Sequence, residues 1–252
     1  MRVLAIANQK GGVGKTTTAM NVAACVALAD HPCLLIDIDP QGNATTGLGQ
    51  ARARDGGIQL ALFHPTGADA ACRETDVPNL HLLPAGRELA RAERDLDRLP
   101  DGPLRLRQAL DSLADRYDYI LIDCPPSLGL LPVNALAAAH GVIIPIQCEY
   151  YAMEGLAQML ELLRRVRDRY NRQLDIEGIL FTMYQRGLAY ADEVAAEVRR
   201  HCSDQVYECA IPRDTLLSEA PSHGKPIIDY APRSLGAFSY IELTKEILAH
   251  GA

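Results

Sequence analysis

Hydrophobic positions along this chain gather in short unbroken runs, and the stretches between them carry apolar residues at helical spacing. Runs such as Val3-Leu4-Ala5-Ile6-Ala7 and Tyr119-Ile120-Leu121-Ile122 do not alternate with polar residues, so both faces of each strand must be covered. The pattern predicts strands at 2–8, 33–38, 79–83, 118–123, 141–147, 175–183 and 206–211. It predicts helices at 14–29, 86–93, 103–116, 128–139, 152–170, 189–201 and 235–249. Strands alternating with helices specify an α/β fold with a mostly parallel twisted sheet flanked by helices on both faces. Residues 50–75, with Gly56-Gly57 and Pro65-Thr66-Gly67, have weak periodicity and predict short helices in a surface excursion. No internal repeat, low-complexity tract or long linker divides the chain, so residues 1–252 are expected to form one domain.

Composition narrows the class. With 48% hydrophobic and 23% charged residues the chain is ordinary for a soluble globular protein. No run is long enough to span a bilayer and the first residues begin a strand, so neither a membrane span nor a signal peptide is expected, and a cytoplasmic location is. The cysteines (Cys25, Cys33, Cys72, Cys124, Cys148, Cys202 and Cys209) are odd in number, scattered and free of any Cys-x-x-Cys pair. They predict buried reduced thiols and argue against an iron–sulfur or zinc site. A net charge of −7 argues against a broadly basic surface, so any DNA contact must come from a local patch.

Against that background, Lys10-Gly11-Gly12-Val13-Gly14-Lys15-Thr16-Thr17 stands directly after the first apolar run. Gly11, Gly12 and Gly14 allow backbone N–H groups to turn inward around phosphate oxygens at the start of a helix. Val13 completes that loop, Lys15 supplies charge to the β- and γ-phosphates, Thr16 offers a hydroxyl to Mg²⁺, and Thr17 can bond the α-phosphate. The usual P-loop carries glycine where this chain has Gln9, and the extra Lys10 marks a variant. Lys10 precedes the tight turn, where its charge can serve a nucleotide held mainly by another subunit. That placement predicts a dimer with ATP in its interface.

Two acidic strand ends accompany the loop. In Leu34-Leu35-Ile36-Asp37-Ile38-Asp39-Pro40-Gln41-Gly42-Asn43, Asp37 and Asp39 share one side and Asp39 stands at the carboxyl end, where open α/β sheets bind ligands. Asp39 either orients the attacking water or holds a water on Mg²⁺. Asp123 ends another apolar strand before Cys124-Pro125-Pro126-Ser127 and suits the Mg²⁺-holding acid of a P-loop NTPase.

Together with Gln147-Cys148-Glu149-Tyr150-Tyr151-Ala152 and Ile211-Pro212-Arg213, these segments closely resemble the ParA/Soj chromosome- and plasmid-partitioning ATPases, within the deviant Walker A group that also includes MinD. The resemblance covers essentially the whole chain. It implies Lys15 as the phosphate-binding lysine, Lys10 as a signature lysine crossing a dimer interface, and Gly11 as the glycine that lets two subunits approach. It also implies that Asp39 is needed for hydrolysis, that Thr16 is the Mg²⁺ ligand and Asp123 the Walker B acid, and that Met183, Pro212 and Arg213 surround the adenine. The implied activity is Mg²⁺-dependent ATP hydrolysis. The implied partners are a second copy of the chain, nonspecific DNA and a ParB-type centromere-binding protein that stimulates hydrolysis, with the protein associated with the nucleoid.

The pattern breaks at Leu216 and Leu235, where family members often carry basic residues linked to DNA contact; Arg186, Lys225, Arg233 and Lys245 are candidates to compensate. Asp214 replaces the usual asparagine near the adenine pocket. On the helix at 152–170, Arg165, Arg169 and Arg172 recur on one face, but Glu161 and Asp168 at four-residue spacing predict ion pairing instead. A membrane-positioning role like that of MinD is the alternative. The tail from Ile241 to Ala252 has one lysine and two glutamates, a poor match to an anionic bilayer, and no stable membrane association is expected. No sequence-reading domain is expected ahead of the first strand.

Overall fold

A computed structural model describes residues 1–54 and 56–250; Asp55, inside the 50–75 excursion, and Gly251 and Ala252, at the end of the tail, lie outside the described residues. The strands are β1 (Arg2–Ile6), β2 (Cys33–Asp37), β3 (Arg73–Glu74), β4 (Leu80–Leu83), β5 (Tyr119–Asp123), β6 (Gly141–Gln147) and β7 (Asp175–Thr182). The helices are α1 (Lys15–Leu28), α2 (Asn43–Gly47), α3 (Ile58–Phe63), α4 (Ala68–Ala71), α5 (Leu89–Leu96), α6 (Arg105–Asp111), α7 (Leu130–Ala138), α8 (Ala152–Arg169), α9 (Ala189–Cys202), α10 (Thr215–Glu219), α11 (Ile227–Tyr230) and α12 (Leu235–His250). Short 3₁₀ turns join several of them. No described helix is long and apolar enough to cross a membrane.

The strands form one seven-stranded sheet in the order β3-β4-β2-β5-β1-β6-β7, parallel except at the β3 edge. Alternation of side chains explains its two-faced cover. Val3, Ala5, Leu34, Ile36, Ile120 and Ile122 enter one apolar layer with α5 to α9, whereas Leu4, Ile6, Cys33, Leu35 and Leu121 enter the other with α1 and α12. Helix α1 is buried from Thr18 to Ala27, and its Ala19, Ala23, Ala24 and Ala27 allow close approach by its neighbours. Each fully buried leucine or isoleucine in these layers contributes about 1.5–3 kcal/mol of transfer free energy.

Register then decides where chemistry collects. Ile6 of β1 and Asp37 of β2 both pair with Asp123 of β5, so three adjacent strands end level. The glycine loop after β1 and both acidic segments therefore emerge side by side. Next to them, β1 and β6 pair only to Ile6 and Ile143, and Pro145 follows, where its missing N–H interrupts no ladder. Asn8 takes over at that point, donating through Nδ2 to the Pro145 carbonyl at 2.7 Å.

The predicted strand at 206–211 is not formed. Val206 and Pro212 make isolated parallel bridges to Ile179 and Tyr184, but between them the N–H groups of Glu208 and Cys209 donate to the Glu246 carboxylate at 3.0 and 2.8 Å. A side chain from α12 thus captures the donors that a ladder would use. The predicted helix at 103–116 ends at Asp111, where Ser112 turns back its hydroxyl to the Ala109 carbonyl at 2.9 Å. The predicted helix at 86–93 is displaced to Leu89–Leu96. Strand β3, two residues long, was too short to show alternation. The cysteines are separate thiols, with Cys25, Cys33, Cys124 and Cys148 buried.

Candidate nucleotide site

Gly12 and Gly14 take φ of 77° and 83°, left-handed values that side-chained residues rarely adopt, and Gly14 caps the start of α1. The loop is held from below by Thr182, whose Oγ1 donates to the Val13 carbonyl at 2.8 Å. Sequence reasoning did not single out Thr182; it ends β7, and only the sheet order brings it beneath the loop. Gly11 differs from its neighbours. Its backbone is not left-handed and an added Cβ would meet nothing within 4 Å, so the fold of this chain does not require glycine there.

The two lysines have opposite surroundings. Lys15 is 6% exposed and its Nζ donates across the loop to the Lys10 carbonyl at 2.9 Å. Burial pushes its pKa down, opposed by the nearby Asp123, Cys124 and Asp39. Lys10 reaches outward to an exposed ion pair with Glu149, 2.8 Å from Nζ to Oε2. Such a pair is worth at most about 1 kcal/mol and exchanges easily.

Among the acids, Asp37 is committed to structure. Its carboxylate accepts from the Asp39 N–H, and from the N–H and hydroxyl of Thr45, both at 2.7 Å. Asp39 stays at the cleft, with Oδ1 accepting from the Gln41 N–H at 2.9 Å. Asp123 is fully buried and neither carboxylate oxygen has a hydrogen-bond partner among the described residues. Burial raises its pKa well above the carboxylate range, Asp37 adds to the rise, and the Thr16 hydroxyl and the Lys15 ammonium oppose it. An orphaned buried carboxylate beside a hydroxyl is the oxygen donor set a hard divalent cation takes, so the residues fit Mg²⁺.

A cleft of about 620 Å³ runs from this loop past Met183, Pro212 and Arg213 to Tyr240. Met183 has φ of 51°, and strain of this kind in a side-chained residue collects at ligand sites. Asp214 uses both oxygens on backbone: Oδ1 accepts from the Leu216 N–H and Oδ2 from the Gly236 N–H, each at 3.0 Å. It fastens the starts of α10 and α12 rather than offering a free polar group to a base.

The family model described as "AAA domain" matches residues 1–176. The chain is 49% identical to the sporulation initiation inhibitor protein Soj of Bacillus subtilis over 254 residues, covering 99% of each. It is 44% identical to the chromosome partitioning protein ParA of Caulobacter vibrioides, over 99% of this chain and 94% of that one. The chain belongs to the ParA/Soj family of partitioning ATPases. Among solved structures it is similar to a Mycobacterium smegmatis protein titled cobyrinic acid a,c-diamide synthase with bound ADP and magnesium, at 35% identity, TM-score 0.84, and 100% and 95% coverage of the two chains.

Of the positions at which this ParA/Soj member departs from the pattern, Leu216 is half-buried against the layer of α1 and α12, and Leu235 is on the surface. Leu235 is 71% exposed at the start of α12, with Phe238 also exposed one turn later. Of the proposed compensating residues, Arg186, Lys225 and Arg233 are exposed and carry no ion pair among the described residues, whereas Lys245 is paired with Glu242 at 2.7 Å. On α8 the predicted Glu161–Arg165 pair forms at 3.1 Å, but Arg164 also turns to Glu161 at 3.1 Å, and Asp168 makes no ion pair among the described residues.

Proposed function

We propose that residues 1–252 act as one ParA-type ATPase domain whose ATP-bound form is a dimer that holds nonspecific DNA and releases it on hydrolysis. The ParA/Soj relatives support a role in ATP-dependent chromosome partitioning. The observation that carries the finer reading is the asymmetry of the phosphate loop: Lys15 is enclosed with the cleft, while Lys10 and Gly11 face outward with open space beyond them. A glycine that its own chain does not need is explained by the approach of another chain.

In this reading the Gly12–Gly14 turn and the start of α1 hold phosphates through N–H groups, and Lys15 neutralises the β- and γ-oxygens. Thr16 and Asp123, with Asp39 at the edge, would hold Mg²⁺ and its waters. Mg²⁺ supplies positive charge to the phosphate oxygens when bound. Asp39 orients the attacking water, and Met183, Pro212 and Arg213 enclose the adenine. Lys10 leaves Glu149 and crosses to the partner's nucleotide. A ParB-type protein stimulates turnover, which is slow in its absence. Arg186, Lys225 and Arg233 supply the phosphate contacts to nucleoid DNA in the cytoplasm, with Lys245 weaker because Glu242 compensates it.

A DNA-retention titration with ADP, ATP and a non-hydrolysable analogue, repeated at several salt concentrations, tests the proposal. Retention is expected only with the triphosphates, and a small number of phosphate contacts predicts a shallow salt slope of about −0.9 per contact. Retention that ignores the nucleotide would overturn it.

A further inference from the structure

The segment from Asp39 to Gly42 is also tied to the edge of the sheet by Arg52, a residue outside the motifs that carry the resemblance. Arg52 is half-buried, and its terminal nitrogen Nη2 donates to the Pro40 carbonyl at 2.5 Å and to the Gly86 carbonyl at 3.1 Å. Its own backbone is anchored next door. The Ala53 N–H donates to the Ala85 carbonyl at 3.0 Å and the Arg87 N–H to the Ala53 carbonyl at 3.1 Å, a short parallel bridge just past β4. The stem fills the space under Gly42, where a Cβ would lie 2.8 Å from Arg52 Cδ and Nε. Nε itself is buried with no acceptor among the described residues.

We propose that Arg52 is a positioning residue for Asp39: one guanidinium joins the carbonyl immediately after Asp39 to the edge beyond β4 and so sets where the Asp39 carboxylate stands. The inference rests on the proposed role of Asp39 in hydrolysis. Beyond its N–H bond to Asp37, Asp39 bonds within its own turn, to Gln41 through Oδ1 and to Gly42 through its carbonyl, and Arg52 refers the far side of that turn to the edge beyond β4. A charged donor on a carbonyl is among the stronger neutral-to-charged contacts available to a loop. Arg52 touches neither the cleft nor the phosphate loop, so its loss acts through geometry alone.

The experiment compares wild type with Arg52→Ala, Arg52→Lys and Asp39→Ala in four measurements: ATP turnover, affinity for a fluorescent ATP analogue, melting temperature, and amide exchange of residues 38–47. For Arg52→Ala, turnover is expected to fall about 10- to 100-fold, the cost of misplacing a reacting group by about an ångström. Nucleotide affinity should stay within about threefold, since uniform binding is untouched, and the 38–47 amides should exchange faster. Arg52→Lys, which keeps a charged donor without the planar fork, should recover part of the loss. Turnover within twofold of wild type would overturn the proposal, as would a parallel fall in turnover, affinity and melting temperature. If Asp39→Ala itself keeps wild-type turnover, the reading of Asp39 fails. A normal Asp39→Ala loss with a silent Arg52→Ala sinks the clamp alone.

Discussion

The two ends of the same parallel sheet treat their polar groups differently. At the amino end, groups are spent on each other: Arg2 pairs with Glu177 at 2.6 Å and donates to the Ile247 carbonyl, and His140 accepts the Val3 N–H on Nδ1 at 2.9 Å. At the carboxyl end, among the described residues, Asp123 keeps both oxygens unpartnered in a fully buried place, Lys15 is confined with a carbonyl as its hydrogen-bond partner, and Lys10 is held by an exposed pair. Two buried amino-end atoms, Glu177 Oε1 and the Tyr207 hydroxyl, also lack a hydrogen-bond partner among the described residues, but the unpartnered Asp123 stands beside Lys15 and Thr16, which line the cleft. The contrast separates stability from function along one sheet axis, and substitutions at each end should move different observables.

The largest effect is expected at Lys15. Lys15→Ala removes two charge-assisted phosphate contacts at about 1.5–3 kcal/mol each, so ATP affinity should fall on the order of 100-fold or more while the melting temperature changes little. Titration with a fluorescent nucleotide checks this, and unchanged affinity would break the site assignment.

The amino end should answer in the opposite way. Arg2→Ala strands the Glu177 carboxylate, which is 7% exposed, at a cost of about 3 kcal/mol. Melting should drop by roughly 6–12 °C with ATP affinity within about twofold, read by calorimetry and the same titration.

Gly11→Val sharpens the contrast within the phosphate loop. An added Cβ there meets nothing within 4 Å among the described residues, so melting should stay within about 2 °C and monomer affinity for ATP should persist. The ATP-dependent dimer should be lost, as measured by light scattering on a size-exclusion column. A Gly11→Val protein that still dimerises with ATP would remove the support for an interface at this loop.

The smallest effect concerns pH. Burial of the His140 ring, the N-terminal ammonium and Arg2 all lower its pKa, and Nδ1 must be unprotonated to accept from Val3. A lowered folded pKa means that the contribution is present above the unfolded value of about 6.5 and is lost as pH falls below it. Urea unfolding at pH 7.5 and 5.5 should therefore show a smaller acid loss in His140→Asn, whose Oδ1 can accept the same N–H, than in wild type. An equal loss in both proteins would show that His140 is not the responsible group.

Much of this was legible before any coordinates. The apolar runs ending in Asp37 and Asp123, and the glycine loop after the first run, located the strand ends at which the candidate site gathers, because period and burial are local properties. The predicted strand at 206–211 was wrong for a nonlocal reason: Glu246, on the last helix, takes the N–H groups of Glu208 and Cys209. The place of Asp39 at a strand end was legible in the sequence, but only the fold shows that Thr45 occupies Asp37. Thr182 and Arg52 carry no local signal at all.

What the sequence determined by itself is the class of fold, the glycine-rich loop after the first strand and the residue types at the strand ends, since each follows from spacing within a few residues. What only the tertiary structure decided is which of those groups are already satisfied. Strand order and register bring Asp123 level with Ile6 and Asp37, turn Lys15 inward and Lys10 outward, and reach Pro40 with a guanidinium from residue 52. Hydrogen-bond satisfaction depends on neighbours far apart in the chain, and no periodicity encodes it.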